Sequence, residues 1–77
     1  MFNAVTSIRY GLPYSTHVSI SIYDIGGRLI DELYNDYSAA GFQTVTWNAD
    51  GFRSVIYLVR LKASSGYTTV QKVMLIR

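Results

Sequence analysis

The sequence predicts an all-β protein, a small antiparallel β-sandwich of six to seven strands. Residues that favour strands are frequent, including seven tyrosines among the 77 residues. Apolar and polar residues alternate with the period of a half-buried strand, most clearly at Val18, Ile20 and Ile22. Turn sequences such as Asp-Ile-Gly-Gly, Ala-Asp-Gly and Ser-Ser-Gly separate the alternating segments, and no segment shows a helical period.

Six strands can be placed in order along the chain. They are expected over residues 5–10, 17–23, 28–34, 42–48, 55–63 and 67–76. In the third strand Ile30 and Leu33 are three residues apart, so we expect either a β-bulge or a short strand there. Polar and small residues over 35–41 indicate a loop, and Ser-Ser-Gly at 64–66 predicts a hairpin. Trp47 shares a face with Val45, which predicts a buried indole.

The final segment differs from the others because both of its faces are apolar. Val73 and Leu75 share one face, while Met74 and Ile76 share the other. An exposed edge strand normally carries polar residues on one side. Two interpretations therefore stay open: a central strand buried on both faces, or a terminal strand that a partner recognises by strand addition.

Size and charge set limits on what the chain can be. We expect residues 1–77 to form a single domain, with Met1 beginning a piece excised from a larger secreted protein. The net charge of +2 comes from scattered basic residues, which does not predict a nucleic-acid partner. There is no cysteine for disulfide or thiolate chemistry. No apolar run approaches the ~20 residues of a membrane span.

Side chains that could carry catalysis or bind a metal are scarce. His17 is the only histidine and lies on the polar face of its predicted strand. Asp31 and Glu32 are adjacent in a strand, so their carboxylates should face opposite sides. Three further aspartates lie at predicted turns, where aspartate has a structural role: Asp24, Asp36 and Asp50. The sequence therefore predicts no enzyme, no cofactor and no metal site.

Five blocks of the sequence, in order and without a gap, resemble the signature of one family. Residues 2–13 resemble its opening, Asn-Pro-Phe-Asn-Pro-x-Thr-x-Ile-x-Tyr-x-Leu-Pro, cut at the start, with Ala4 in place of the second proline. Residues 18–28 resemble Val-x-Leu-x-Ile-Tyr-Asp-x-x-Gly-Arg. Residues 40–48 resemble Ala-Gly followed by Val-x-Trp-(Asn/Asp). Residues 50–61 resemble Gly-Leu-x-x-Gly-(Val/Ile)-Tyr-x-x-(Arg/Lys)-Leu, with Val55 in place of the glycine. Residues 72–77 resemble the closing Lys-x-x-x-(Leu/Ile)-(Lys/Arg).

Through these five blocks the chain resembles the type A C-terminal sorting domain of the type IX secretion system. The resemblance implies an immunoglobulin-like sandwich, related to the flagellar hook-capping protein, that acts as a non-catalytic sorting signal. It implies recognition by the type IX translocon, an upstream cargo domain, and in many cases removal by a sortase-like peptidase. It implies passage through the periplasm to the medium or the outer-membrane surface. The residues expected to be recognised are Gly66, Tyr67, Lys72, Leu75, Ile76 and Arg77. The signature residues expected to be structural are Tyr23, Asp24, Gly27, Arg28, Trp47 and Tyr57.

Two other functions stay open at this point. One is an immunoglobulin-like structural spacer. The other is a carbohydrate-binding accessory module of a secreted glycosidase, for which aromatic rings near strand ends are the candidates: Tyr14, Tyr34, Tyr37 and Tyr67. We also expect that a short sandwich with an apolar last strand could form a homodimer through edge or swapped strands.

Overall fold

Six antiparallel strands in two sheets make up the computed structural model, which describes residues 5–52 and 56–74. They are β1 (Val5–Leu12), β2 (Thr16–Asp24), β3 (Leu29–Ser38), β4 (Gly41–Asn48), β5 (Ile56–Ala63) and β6 (Thr68–Met74). One sheet pairs β1 with β4, and the other has the order β3-β2-β5-β6. The predicted all-β sandwich is confirmed. No helix long and apolar enough to cross a membrane occurs in the described ranges.

The core lies where the inward faces of the two sheets meet. The predicted alternation holds in β2, where Val18, Ile20 and Ile22 are at most 1% exposed. The smaller sheet contributes Trp47, also 1% exposed, which confirms the predicted burial of the indole. Its ring meets that of Tyr57 edge to face, with centroids 4.9 Å apart. The other core residues are Ile8, Leu12, Ala49, Val59, Leu61 and Ala63.

Two side-chain hydrogen bonds link the sheets. The Trp47 Nε1–H donates to Asp31 Oδ2 on β3, at 3.1 Å. The Tyr10 hydroxyl on β1 and the Ser38 hydroxyl on β3 are 3.0 Å apart. Because both pairs are partly buried, each contributes about 1 kcal/mol and sets how one sheet lies over the other.

The irregular spacing in the third strand is caused by two β-bulges. The register with β2 passes from Tyr34 to Glu32 and from Asp31 to Leu29, so Leu33 and Ile30 have no directly paired residue. Both of these side chains pack against the core. The predicted bulge is therefore confirmed, and the extra residues bring two apolar side chains to the same face despite their odd spacing.

Two predictions about local structure are wrong. The loop expected over 35–41 is much shorter, because β3 continues to Ser38 and β4 begins at Gly41. Asp36, expected at a turn, pairs with Val18 inside β3. These polar residues lie on an edge strand whose free side faces solvent, so their composition resembles that of a loop.

The last strand is not a central strand buried on both faces. β6 lies at the edge of its sheet and pairs with β5 alone among the described strands. Only Val73 is partly buried, while Val70 and Met74 are more than half exposed. The core residues of β2 and β5 are at most 3% exposed, whereas Thr69 and Gln71 on the inward side of β6 are exposed, so the inward face of β6 stays largely uncovered.

Candidate functional site

The β5–β6 hairpin sets the orientation of the last strand. The Gly66 N–H donates to the Ala63 carbonyl at 3.0 Å, and the Ala63 N–H donates to the Tyr67 carbonyl at 2.8 Å. These two bonds are typical of a type I turn followed by a residue of positive φ. Gly66 is that residue, with a φ of 103°. The conformation of the turn thus favours glycine at this position, whether or not a partner contacts it.

The hairpin closure shows which backbone groups of β6 face outward. Hydrogen-bonded and non-hydrogen-bonded pairs alternate along an antiparallel ladder. Since Ala63 and Tyr67 are hydrogen-bonded, Thr69, Gln71 and Val73 also bond to β5. The N–H and C=O groups of the intervening residues point away from the sheet, and we call these residues the open edge: Thr68, Val70, Lys72 and Met74. No described side chain makes a hydrogen bond to the open edge.

The side chains of the open edge lie on the solvent-facing side of the larger sheet, opposite to the core. Directly paired residues share a face, so Lys72 stands beside Leu58, and Val70 stands beside Arg60. Tyr23 on β2 is paired with Leu58 on the same side. We call this solvent-facing surface the outer face. It carries Tyr23, Leu29, Glu32, Ile56, Leu58, Arg60, Lys62, Val70, Lys72 and Met74.

A shallow depression occupies the middle of the outer face, beneath the β2–β3 hairpin. Its volume is about 270 Å³, and its lining residues are Tyr23, Gly27, Leu58, Arg60 and Val70. Tyr23 and Gly27 belong to the signature block expected to be structural. The ring of Tyr23 points away from the core that Ile22 and Ile20 fill, so core packing does not account for it.

The residues expected to be recognised do not converge on one point. Gly66 and Tyr67 lie at the turn end of the hairpin, and Tyr67 is 43% exposed. Lys72 lies near the other end of β6, about 17 Å away for five residues of strand. Lys72 is paired directly with Leu58, which is paired in turn with Tyr23, so it lies closer to these two residues than to Gly66.

Several residues of interest lie outside the described ranges. Leu75, Ile76 and Arg77 follow β6, so their expected role in recognition remains a prediction. Val55, which replaces a family glycine, and Ala4 also fall outside.

Asp24 and Arg28 of the signature block shape the turn between β2 and β3. Asp24 Oδ1 accepts from the backbone N–H groups of Gly26 and Arg28, both at 2.9 Å. The hydrogen bond from the Arg28 N–H is the largest of the effects that lower the pKa of this carboxyl. The Arg28 guanidinium lies 3.6 Å from Asp24 Oδ2, an exposed pair of little energetic weight.

The other two signature residues, Trp47 and Tyr57, are core residues. Phe52 completes a cluster of three rings, with its centroid 5.7 Å from that of Trp47. Their role is to fill the space between the sheets, so these two residues are not available to a partner.

One feature of the outer face was missed by sequence reasoning. The basic residues are scattered along the sequence, yet strand alternation places Arg60 and Lys62 on the same side of β5, and the β5–β6 register adds Lys72. The period of two in β5 could have revealed the first pair, whereas the third needs the register. No cluster of three or more histidine or acidic residues suited to a metal occurs among the described residues.

The fold and the open edge together define a class of protein: a small β-sandwich module whose larger sheet ends in an exposed edge strand. The comparison with family models gives the particular family. The chain belongs to the secretion system C-terminal sorting domain family, whose model matches residues 3–76. This confirms the resemblance found in the five sequence blocks. No curated protein and no solved structure matches the chain.

Proposed function

We propose that this chain is read by the type IX translocon through the open edge of β6, and that this recognition exports the cargo that precedes it. Family membership makes the chain a sorting domain of a secreted or cell-surface protein. The single observation that carries the finer proposal is the position of β6, an edge strand whose outward backbone groups have no described partner.

Strand addition explains how such an edge is recognised. A strand from the translocon that pairs with β6 would form hydrogen bonds to the outward N–H and C=O groups of Val70, Lys72 and Met74. Each bond contributes about 1 kcal/mol, and side-chain contacts on the outer face add selectivity. Gly66 and Tyr67 set the direction of β6, while Leu75, Ile76 and Arg77 would prolong the recognised segment.

The remaining steps of the proposal are those that the resemblance implies. The cargo passes through the periplasm and reaches the medium or the outer-membrane surface, where a sortase-like peptidase removes the domain, as it does in many members of the family. The chain itself carries out no chemistry in this scheme. A second copy could also pair through the open edge, and such a homodimer would have to dissociate before recognition. No observation favours the structural spacer or the carbohydrate-binding module.

A matched pair of proline substitutions tests the proposal. Val70→Pro removes an N–H that points out from β6 and leaves the β5–β6 ladder intact. Asn35→Pro removes the corresponding outward N–H of β3, at the other edge of the sheet. Each variant is fused behind a folded reporter and expressed in a bacterium that has the type IX system. We expect Val70→Pro to reduce export at least about tenfold and Asn35→Pro to leave it within about twofold.

Folding is measured separately, so that loss of structure is not mistaken for loss of recognition. Both purified chains should keep the circular dichroism of the unmodified chain, because both prolines lie on solvent-facing edges. Removal of residues 72–77 provides a second variant, which should also stop export if the chain is a signal. Full export of the folded Val70→Pro chain would contradict recognition through the open edge, and full export of both variants would favour the spacer.

A further inference from the structure

The outer face carries an arrangement of apolar and cationic side chains that the core does not explain. In one row across β5 and β6, Leu58 stands beside Lys72, and in the next row Arg60 stands beside Val70. Apolar and cationic groups therefore alternate both along and across the two strands. Neighbours of this kind lie about 5 Å apart across the ladder and about 7 Å apart along each strand.

The positive charge of this region is not neutralised within the described part of the chain. Arg60, Lys62 and Lys72 form no ion pair with a described carboxylate. The acidic side chain on the same face, Glu32, lies across the sheet on β3 and accepts a hydrogen bond from Asn35 Nδ2. The three cations thus attract a negatively charged partner, most strongly at low ionic strength.

The apolar side chains give this region a place for one large side chain. The depression of about 270 Å³ lies between Tyr23, Leu58 and Val70, and Arg60 forms part of its wall. That space suits a single aromatic or branched aliphatic side chain. Val70 is 57% exposed and Met74 is 55% exposed, so apolar surface remains available beside the depression.

We propose that the outer face binds an acidic protein segment in which a large apolar side chain is flanked by carboxylates. The apolar side chain would enter the depression, and the carboxylates would contact Arg60 and Lys72. An extended peptide places alternate side chains about 7 Å apart on one side, which matches the spacing along β5 from Leu58, beside the depression, to Arg60. This match favours a peptide over a lipid surface, which has no such repeat.

Peptide titrations followed by amide NMR test this proposal on the complete 77-residue chain. The probes are capped Gly-Asp-Glu-Phe-Glu-Asp-Gly, its serine analogue Gly-Ser-Ser-Phe-Ser-Ser-Gly and its lysine analogue Gly-Lys-Lys-Phe-Lys-Lys-Gly. We expect the acidic peptide to shift signals of Tyr23, Leu58 and Arg60, with a dissociation constant on the order of 1 mM. The serine peptide should bind at least about tenfold more weakly, and the lysine peptide should not bind.

Charge reversal provides the matched control. Arg60→Glu changes the charge beside the depression, while Arg9→Glu makes the same change on β1, in the other sheet. Arg60→Glu should weaken binding of the acidic peptide at least about tenfold, and Arg9→Glu should leave it within about twofold. Tyr23→Ala should also weaken binding at least about threefold without loss of fold, because this ring lies outside the core.

Four outcomes would overturn the proposal. They are the absence of shifts on the outer face, equal weakening by Arg60→Glu and Arg9→Glu, equal affinity for all three peptides, and tighter binding to anionic phospholipid vesicles or inorganic phosphate. The inference goes beyond recognition through the open edge and can fail separately from it. If Val70→Pro stops export but the acidic peptide does not bind, only the outer-face proposal is wrong.

Discussion

The two edge strands of the larger sheet, β3 and β6, are held by similar turns but expose very different edges. Along β3 two of the outward N–H groups, those of Glu32 and Tyr37, have partners on the same strand. Asp31 Oδ1 accepts from the Glu32 N–H at 2.9 Å, and Asp36 Oδ1 accepts from the Tyr37 N–H at 2.7 Å. The Tyr34 hydroxyl donates to the Tyr37 carbonyl. Two bulges further disturb this edge.

β6 has none of these features among the described residues. Its register with β5 is regular, and Lys72 is its one charged residue. Bulges and edge charges are devices that prevent another strand from pairing. Within the larger sheet, this difference favours strand addition at β6 over strand addition at β3, as recognition through the open edge requires.

Of the changes predicted here, the substitution of Asp31, which accepts hydrogen bonds at the β3 edge and from Trp47, should lower the free energy of unfolding most. Asp31→Ala removes the acceptor of both the Glu32 N–H and the buried Trp47 Nε1–H. An unsatisfied buried donor costs about 2 kcal/mol of unfolding free energy, out of about 4–12 kcal/mol for a domain of this size. Urea unfolding measures this loss.

Asp31→Asn separates the two contacts in the same experiment. Its amide oxygen can still accept from Trp47 Nε1, but its amide nitrogen cannot accept from the Glu32 N–H. We expect a loss of under about 1 kcal/mol. Equal losses for the two variants would show that the bond to Trp47 contributes little.

A smaller loss of stability, of the same size at both positions, is expected when the turn glycine of the β2–β3 or of the β5–β6 hairpin is replaced. Gly27 and Gly66 occupy the same turn position, with φ of 89° and 103°, and an added Cβ would meet no atom within 4 Å at either. Gly27→Ala and Gly66→Ala should therefore each cost about 1 kcal/mol through backbone strain alone. Gly66→Asn should cost less, because asparagine tolerates positive φ. Thermal unfolding checks this order, and an Asn cost equal to that of Ala would contradict it.

The smallest predicted effect is a pH dependence of stability that arises in the β2–β3 hairpin and has no counterpart in the β5–β6 hairpin. Asp24 in the β2–β3 hairpin and Ala63 in the β5–β6 hairpin occupy the same turn position. Folding lowers the pKa of Asp24 from its ordinary 3.8, mainly through the hydrogen bond from the Arg28 N–H. The charged carboxylate therefore stabilises the fold above that value, and this stability is lost as the pH falls through the lowered pKa. Asp24→Asn should flatten the fall in melting temperature below about pH 4, and an unchanged slope would contradict this role.

Much of the fold could be predicted because alternation and turn residues are local features. The alternation of Val18, Ile20 and Ile22 is enough to predict β2, and the spacing of Ile30 and Leu33 is enough to indicate a bulge. The fate of the last strand could not be predicted, since apolar residues on both faces are compatible with a buried strand and with an open edge. Sheet order depends on which strands pair over long range, and composition does not encode that choice directly.

The candidate site was predicted only in part, for related reasons. Lys72 was identified from the closing motif, but its neighbours Leu58 and Tyr23 come from other strands and become visible only through the registers. Asp31 was considered only as a catalytic group, because its bond to Trp47 crosses between the sheets. Asp36 and Tyr37 were interpreted as part of a loop, although their hydrogen bond helps to close the edge of β3.

Amide hydrogen exchange, measured with and without purified outer-membrane components of a type IX translocon, tests the central claim most directly. In the free chain the outward amides of Val70 and Lys72 should exchange near the rate of an unfolded chain, while those of Glu32 and Tyr37 are slowed by Asp31 and Asp36. Binding should slow exchange at Val70 and Lys72 at least about tenfold and leave Glu32 and Tyr37 unchanged. A complex that forms with the amides of β6 still exchanging freely would contradict recognition by strand addition.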